Sequence, residues 1–77
     1  MEIPIADVMV HIDETLSKEA LAKIEKDVHE DKCVISACVP KGKMHLMLVA
    51  YNPDCTSAHD ILVRVKKEGV HAELVGL

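Results

Sequence analysis

Four short stretches of this chain predict β-strands, and apolar and polar residues alternate in the first and the last of them. In residues 6–12, Val8, Val10 and Ile12 share one face, and His11 lies on the other. Such alternation is typical of a strand with one buried face. The other predicted strands are residues 33–39, 44–51 and 70–75, and Pro40-Lys41-Gly42-Lys43 forms a hairpin loop between the second and third. In the last strand we expect Val70, Ala72 and Leu74 to face inward.

Apolar residues spaced by three or four predict two amphipathic helices. Residues 18–28 form the first, with an apolar stripe of Leu16, Ala20, Leu21, Ile24 and Val28. Residues 58–68 form the second, with Ile61, Leu62 and Val65 facing inward. Asp13, Thr15 and Ser17 are alternative N-caps of the first helix, and Thr56 and Ser57 of the second. Gly69 lies where a left-handed residue commonly ends a helix.

The predicted order is therefore βαββαβ, which is the ferredoxin-like α+β arrangement. Right-handed crossovers place both helices on one face of a four-stranded antiparallel sheet. The chain of 77 residues is short enough that we expect a single domain, residues 1–77, with a small core.

Charge and composition exclude several function classes. Thirteen acidic residues outnumber nine basic ones, which leaves a net charge of −4 and no basic surface for a nucleic acid. Tyr51 is the one aromatic residue, so base-stacking platforms are absent as well. The apolar run at residues 46–50 is far shorter than the ~20 residues of a membrane span. Residues 1–4 lack the features of a signal peptide, so we expect a cytoplasmic protein with no membrane partner.

Four segments of the chain resemble one family. They are Ile24-Glu25-Lys26, Val49-Ala50-Tyr51-Asn52-Pro53, Thr56-Ser57 and Gly69-Val70-His71-Ala72-Glu73. Their pattern is similar to that of the heavy-metal-associated domain, the βαββαβ module of copper chaperones and of metal-pumping ATPases. The resemblance covers residues 8–75 and implies the same fold. Its matching residues mainly build the fold, so it implies activity less directly.

The metal motif of that family is missing from this chain. The family binds a soft ion such as Cu(I) through two thiolates in a G-M-x-C-x-x-C motif at the first strand–helix junction. Alignment on Ile24 places Ser17 and Ala20 where the two cysteines belong, and Glu14 and Thr15 at the Gly and Met positions. A hydroxyl is a poor ligand for a soft metal, and a methyl group is none. The chain is therefore predicted to be a degenerate member without the thiolate site, and no cofactor is expected.

Other side chains offer a rearranged metal site. His11, Asp13 and Glu14 follow one another near the lost motif, and imidazole and carboxylate groups bind zinc. The simpler interpretation, which we favour, makes His11 a surface imidazole and Asp13 a helix cap. Copper is a second transition metal to consider because of Met44, His45 and Met47. Alternation along the strand separates Met44 from the other two, so we do not expect them to converge.

The three cysteines, at positions 33, 38 and 55, suggest no disulfide framework by their spacing. In the cytoplasm we expect reduced thiols. Cys55 is the candidate reactive thiol, because a helix N-terminus lowers the pKa of a nearby thiol and His59 lies four residues on. No third group orients this pair, and the chain has neither a phosphate-binding glycine loop nor an arginine-bearing anion loop. We therefore expect no enzyme.

The third strand has apolar residues on both faces. Met47, Val49 and Tyr51 are expected to face the helices, which leaves Leu46, Leu48 and Ala50 on the open face of the sheet. Such a patch predicts a protein partner or a homodimer through the sheet. The alternative is that residues 1–5 cover it.

These observations leave three hypotheses for function. The first is a non-enzymatic interaction domain without the thiolate site. The second is a metal carrier that uses the rearranged site at the first loop. The third is a redox or catalytic protein that uses Cys55.

Overall fold

A computed structural model describes residues 4–75 as a two-layer α+β fold. The elements, in chain order, are β1 (Ala6–Ile12), α1 (Lys18–His29), β2 (Val34–Cys38), β3 (Leu46–Tyr51), α2 (Ala58–Lys66) and β4 (Ala72–Val75). The strands form one antiparallel sheet in the order β2-β3-β1-β4, and both helices pack on one face. This confirms the predicted ferredoxin-like architecture.

The core lies between the helices and the inner face of the sheet. Alternation along β1 and β3 sends Val10 and Met47 into it, and both are fully buried. Ile24 of α1 and Ile61 of α2 cover them from the helical layer. Pairing with Val10 places Leu74 on the inner face of β4, as predicted, but on this edge strand its side chain is 39% exposed.

Serine residues begin both helices. The Ser17 hydroxyl accepts a hydrogen bond from the Ala20 backbone N–H at 3.2 Å, and the Ser57 hydroxyl accepts one from Asp60 at 3.1 Å. Of the predicted alternatives, Ser17 and Ser57 are therefore the N-caps. Gly69 has φ +88°, which confirms the left-handed position after α2.

The outer face of the sheet carries an apolar row that crosses all four strands. Leu48 is paired with Cys38 on one side and Met9 on the other, and Met9 is paired with Val75. Leu48 is 38% exposed, and its neighbours Leu46 and Ala50 are half-buried. The alternative prediction was that residues 1–5 cover this face. Residues 1–3 lie outside the described part of the chain, and the side chain of Ile5 is 61% exposed.

Both edge strands of the sheet depart from long, regular pairing. On one edge, a β-bulge interrupts the pairing of β2 with β3 between Val34 and Ser36. On the other, β4 has only four residues. Neither helix of the described chain is long and apolar enough to cross a membrane.

Candidate metal centre

Three potential metal ligands converge at the end of β1. His11 points to the open face, because Val10 and Ile12 on either side of it face the core. Pairing of β1 with β4 places Glu73 directly opposite His11. Asp13 follows the last residue of β1. Its Oδ1 lies 3.1 Å from His11 Nδ1, and Glu73 Oε1 lies 3.0 Å from the same nitrogen.

The spacing of these atoms fits a small divalent cation. One ligand atom from each of the three residues lies within 4.8 Å of the other two, the one such group among residues 4–75. Tetrahedral ligands at zinc–ligand distances of 2.0–2.1 Å are about 3.3 Å apart. The nitrogen–oxygen distances here differ from that value by a few tenths of an ångström. Both contacts are hydrogen bonds of His11 Nδ1, so an ion bound here would take the place of the proton that the nitrogen shares with the two carboxylates.

His45 holds the ring of His11 in place. Its ring stacks on that of His11 with centroids 5.8 Å apart and an interplanar angle of 16°. The Nδ1–H of His45 donates to the backbone carbonyl of Ile12 at 2.7 Å, which fixes the His45 ring in turn. The His11 imidazole is therefore supported from one side while its Nδ1 faces the two carboxylates.

Glu14, the third residue predicted at this site, lies outside the cluster. Its carboxylate accepts the backbone N–H of His71 at 2.8 and 3.0 Å and lies 2.8 Å from His71 Nδ1. The hydrogen bond between the two side chains lowers the pKa of Glu14 and raises the pKa of His71. Glu14 thus fastens the loop after β1 to the start of β4, and Glu73 takes its place beside His11.

Glu73 was missed as a ligand although the sequence carried a signal for it. Alternation predicted both His11 and Glu73 on the outer face of their strands. A ferredoxin-like sheet order makes these strands neighbours. The register between strands that are 62 residues apart in sequence was the missing information.

The first turn of α1 cannot form the two-thiolate site of the resembled family. The Ser17 hydroxyl is engaged as the helix cap, and the Ala20 side chain has no donor atom. A soft ion requires sulfur ligands, and neither of these positions supplies one. The residues at this loop therefore do not fit Cu(I).

Met47 does not join His45 or Met44 in a copper site. It is fully buried in the core, whereas Met44 is 38% exposed beyond the start of β3. Alternation placed His45 on the same face as Met47, and this is wrong: His45 precedes β3 and stacks on His11, whereas Met47 points into the core.

The cysteines correct two expectations. Cys33 and Cys55 form a disulfide, with their Cα atoms 5.4 Å apart, so neither is a reduced thiol and Cys55 is not a free reactive one. The pairing arises because the residue before β2 lies beside the loop that follows β3, a contact that spacing along the sequence does not reveal. Cys38, exposed on the edge strand β2, is the free cysteine of the described chain.

No family model matches this chain, and no curated protein matches it. Solved structures do. The N-terminal domain of a potential copper-translocating P-type ATPase from Bacillus subtilis, in its Cu(I)-loaded state, is 25% identical with a TM-score of 0.83, covering 95% of this chain and 90% of that one. Oxidized MerP from Ralstonia metallidurans CH34 is 11% identical with a TM-score of 0.83, covering 95% and 100%. A copper-binding domain from HMA7, a P-type ATPase, is 17% identical with a TM-score of 0.81, covering 91% and 93%.

Proposed function

Because this chain has the fold of a heavy-metal-associated domain, we propose that it is a non-enzymatic metal-ion-binding domain with a rearranged site of His11, Asp13 and Glu73. The observation that carries the proposal is the convergence of one imidazole nitrogen and two carboxylate oxygens within 4.8 Å. The site lies beside the loop at which the resembled family binds its soft ion. Imidazole and carboxylate ligands select a borderline divalent ion such as zinc over Cu(I).

The exposure of the site suits a carrier. The side chains of His11, Asp13 and Glu73 are 38%, 51% and 56% exposed, so an ion could enter and leave without a change of fold. Three protein ligands leave one position of a tetrahedral zinc ion open. A ligand from a partner protein could occupy that position during transfer. The sequence led us to expect a cytoplasmic carrier, but a disulfide such as Cys33–Cys55 persists in oxidising compartments and is rare in the cytoplasm.

Zinc titration of the metal-free, disulfide-bonded protein tests the proposal. We expect one zinc ion per chain by calorimetry, with NMR shifts centred on residues 11–13 and 73. His11→Gln, Asp13→Asn and Glu73→Gln should each weaken zinc binding roughly tenfold or more, since even indirect partners of a metal ligand contribute 10–100-fold.

Two variants serve as matched controls in this titration. Glu14→Gln removes a neighbouring carboxylate that binds His71 instead, and Ser17→Ala removes a helix cap at an aligned motif position. Both should weaken zinc binding far less than the three ligand variants, because the amide oxygen introduced by Glu14→Gln can still accept the His71 backbone N–H. Absence of stoichiometric binding, or equal effects of Glu14→Gln and Glu73→Gln, would contradict the proposed site.

A protein-binding role is the second candidate function, and the apolar row on the outer face of the sheet favours it. The predicted patch consists of Leu46, Leu48 and Ala50. Leu48 is the most exposed of the three, and it lies at the centre of the apolar row. The simplest partner is a second copy of the chain, because one patch can then cover another by two-fold symmetry. A different protein would use the same surface.

A further inference from the structure

A pair of cysteines lies at the opposite end of the sheet from the cluster of His11, Asp13 and Glu73. Cys33 directly precedes β2, and Cys55 lies in the loop between β3 and α2. Their Cα separation of 5.4 Å is within the usual range for bonded cysteines. His11 is paired with Leu46 at the start of β3, whereas the cysteines lie beyond its end at Tyr51, about 20 Å away along the strand.

Backbone hydrogen bonds hold the two cysteines together independently of their sulfur–sulfur bond. The Asn52 N–H donates to the carbonyl of Cys33 at 2.8 Å, and the N–H of Cys55 donates to the carbonyl of Asn52 at 3.0 Å. The Cys33 N–H is also fixed, because it donates to Asp31 Oδ1 at 2.8 Å. None of these hydrogen bonds involves a sulfur atom, so reduction of the disulfide removes none of them directly.

The loop that carries Cys55 is the counterpart of the loop that precedes α1. Each half of the βαββαβ order has one strand-to-helix loop, after β1 in the first half and after β3 in the second. Cys55 precedes Ser57, the N-cap of the nine-residue helix α2, by two residues. The partial positive charge at a helix N-terminus stabilises a nearby anion such as a thiolate.

The surroundings leave the sulfur pair accessible. Cys55 is exposed and Cys33 is half-buried, and both line a shallow cavity with Asp31 and Arg64. Arg64 lies 3.7 Å from Asp31 and 3.9 Å from Asp27, so its charge offsets the acidic side of the cavity. A small reductant and an ion can therefore reach the sulfurs from solvent.

We propose that Cys33 and Cys55, once reduced, form a two-thiolate site for a soft monovalent cation of the Cu(I) class. A dithiol reductant attacks one sulfur of the disulfide and then closes to its own disulfide, which leaves two thiols on the protein. Binding of Cu(I) forms two metal–sulfur bonds and releases the two thiol protons. The oxidised protein lacks the site, so the redox state of this pair decides whether a soft ion binds.

This site differs in chemistry and place from the histidine–carboxylate cluster. Thiolates bind Cu(I) and also zinc, but the disulfide-bonded pair has no thiolate, so a zinc titration of the oxidised protein reports on the histidine–carboxylate cluster alone. The zinc site and the Cu(I) site can therefore be tested independently. His11→Gln should leave Cu(I) binding by the reduced protein unchanged, and Cys33→Ser should leave zinc binding at the other end unchanged.

Anaerobic competition between the full chain and a chromophoric Cu(I) chelator tests the inference. Protein reduced with dithiothreitol, then freed of it, should take up one Cu(I), with NMR shifts at residues 33–34 and 52–57. The oxidised protein should take up none at this position. Cys33→Ser and Cys55→Ser should lose binding, and the control Cys38→Ser should retain it.

Any of the following outcomes would overturn the inference. Binding that persists in Cys33→Ser, or that disappears in Cys38→Ser, assigns the ion to different ligands. Absence of stoichiometric uptake by the reduced chain removes the site. An amide spectrum that loses its dispersion on reduction shows that the disulfide, and not the backbone around Asn52, keeps the sulfurs together.

Discussion

At the scale of single residues, Ser17 has a structural role as the N-cap of α1. It aligns with a metal-binding cysteine of the resembled family, but its hydroxyl accepts the Ala20 N–H and begins α1. A serine N-cap contributes typically about 1 kcal/mol to stability. The residue that we align with a ligand of that family therefore acts here as a helix cap.

The Glu14–His71 pair makes a prediction about pH at the same scale. The side-chain hydrogen bond raises the pKa of His71 above its ordinary 6.5 and lowers that of Glu14 below 4.5. The stabilising interaction is fully present between these ordinary values. It is lost as the pH rises through the raised pKa of His71, and as the pH falls through the lowered pKa of Glu14.

NMR titration of the metal-free protein measures this directly. The His71 ring should titrate with a midpoint above 6.5 in the wild type. In Glu14→Gln, the carboxylate is gone and the midpoint should fall. An unchanged midpoint would show that the contact does not persist in solution.

At the scale of elements, the sequence predicted every helix and strand, and the errors lie at their ends. The fourth strand was predicted from Val70 but begins at Ala72, since the Glu14 carboxylate binds the N–H of His71 and the Asp13 N–H binds its carbonyl. The third begins at Leu46 because turn hydrogen bonds hold residues 40–46. Alternation identifies a strand. Where the strand begins is determined by hydrogen bonds to a distant loop, as for the fourth strand, or within a turn, as for the third.

The first turn of α1 can be tested as a scaffold for the missing motif. Replacing both residues, as Ser17→Cys with Ala20→Cys, restores the cysteine spacing of the family on a helix that already begins at the right place. In a background with Cys33→Ser and Cys55→Ser, this variant should bind one Cu(I), whereas the background alone should not. The lost cap should lower its free energy of unfolding by about 1 kcal/mol.

Failure of that variant to bind Cu(I) while folded would show that the loop around Glu14 and Thr15 has diverged in shape as well as in sequence. The amide spectrum distinguishes this result from simple unfolding. Cu(I) binding by the variant would show that only the two cysteines are missing. A folded variant that binds no Cu(I) would show that the conformation of the loop differs as well.

At the scale of the whole molecule, the sequence could not predict the contacts that join distant segments. Glu73 reaches His11 across 62 residues, and Cys33 reaches Cys55 across 22. Alternation assigns a side chain to a face, but only the register of neighbouring strands sets which residues meet. His11 and Asp13, which are close in sequence, were accordingly predicted together, and their partner Glu73 was not.

The outer face of the sheet yields a prediction about assembly. If a second copy covers the row around Leu48, analytical ultracentrifugation should show a concentration-dependent dimer, and Leu48→Glu should shift it to monomer. The buried charge would cost more than the apolar contact it replaces. Val63→Glu, at a similarly exposed position on α2, is the matched control and should leave the dimer intact.

A monomeric wild type at millimolar concentration would exclude self-association through this face. The patch would then remain a surface for a different protein. Equal effects of both variants would place the dimer contact elsewhere.

The bulge in β2 and the shortness of β4 have a consequence for how copies of this chain can meet. A long, regular border strand offers a template on which another molecule can continue the sheet, and repetition of that step builds fibrils. Here one border is kinked between Val34 and Ser36, and the other extends over four residues only. Copies of this chain can still associate through the flat outer surfaces of their sheets. Addition of further strands at the borders into a continuous ribbon is disfavoured.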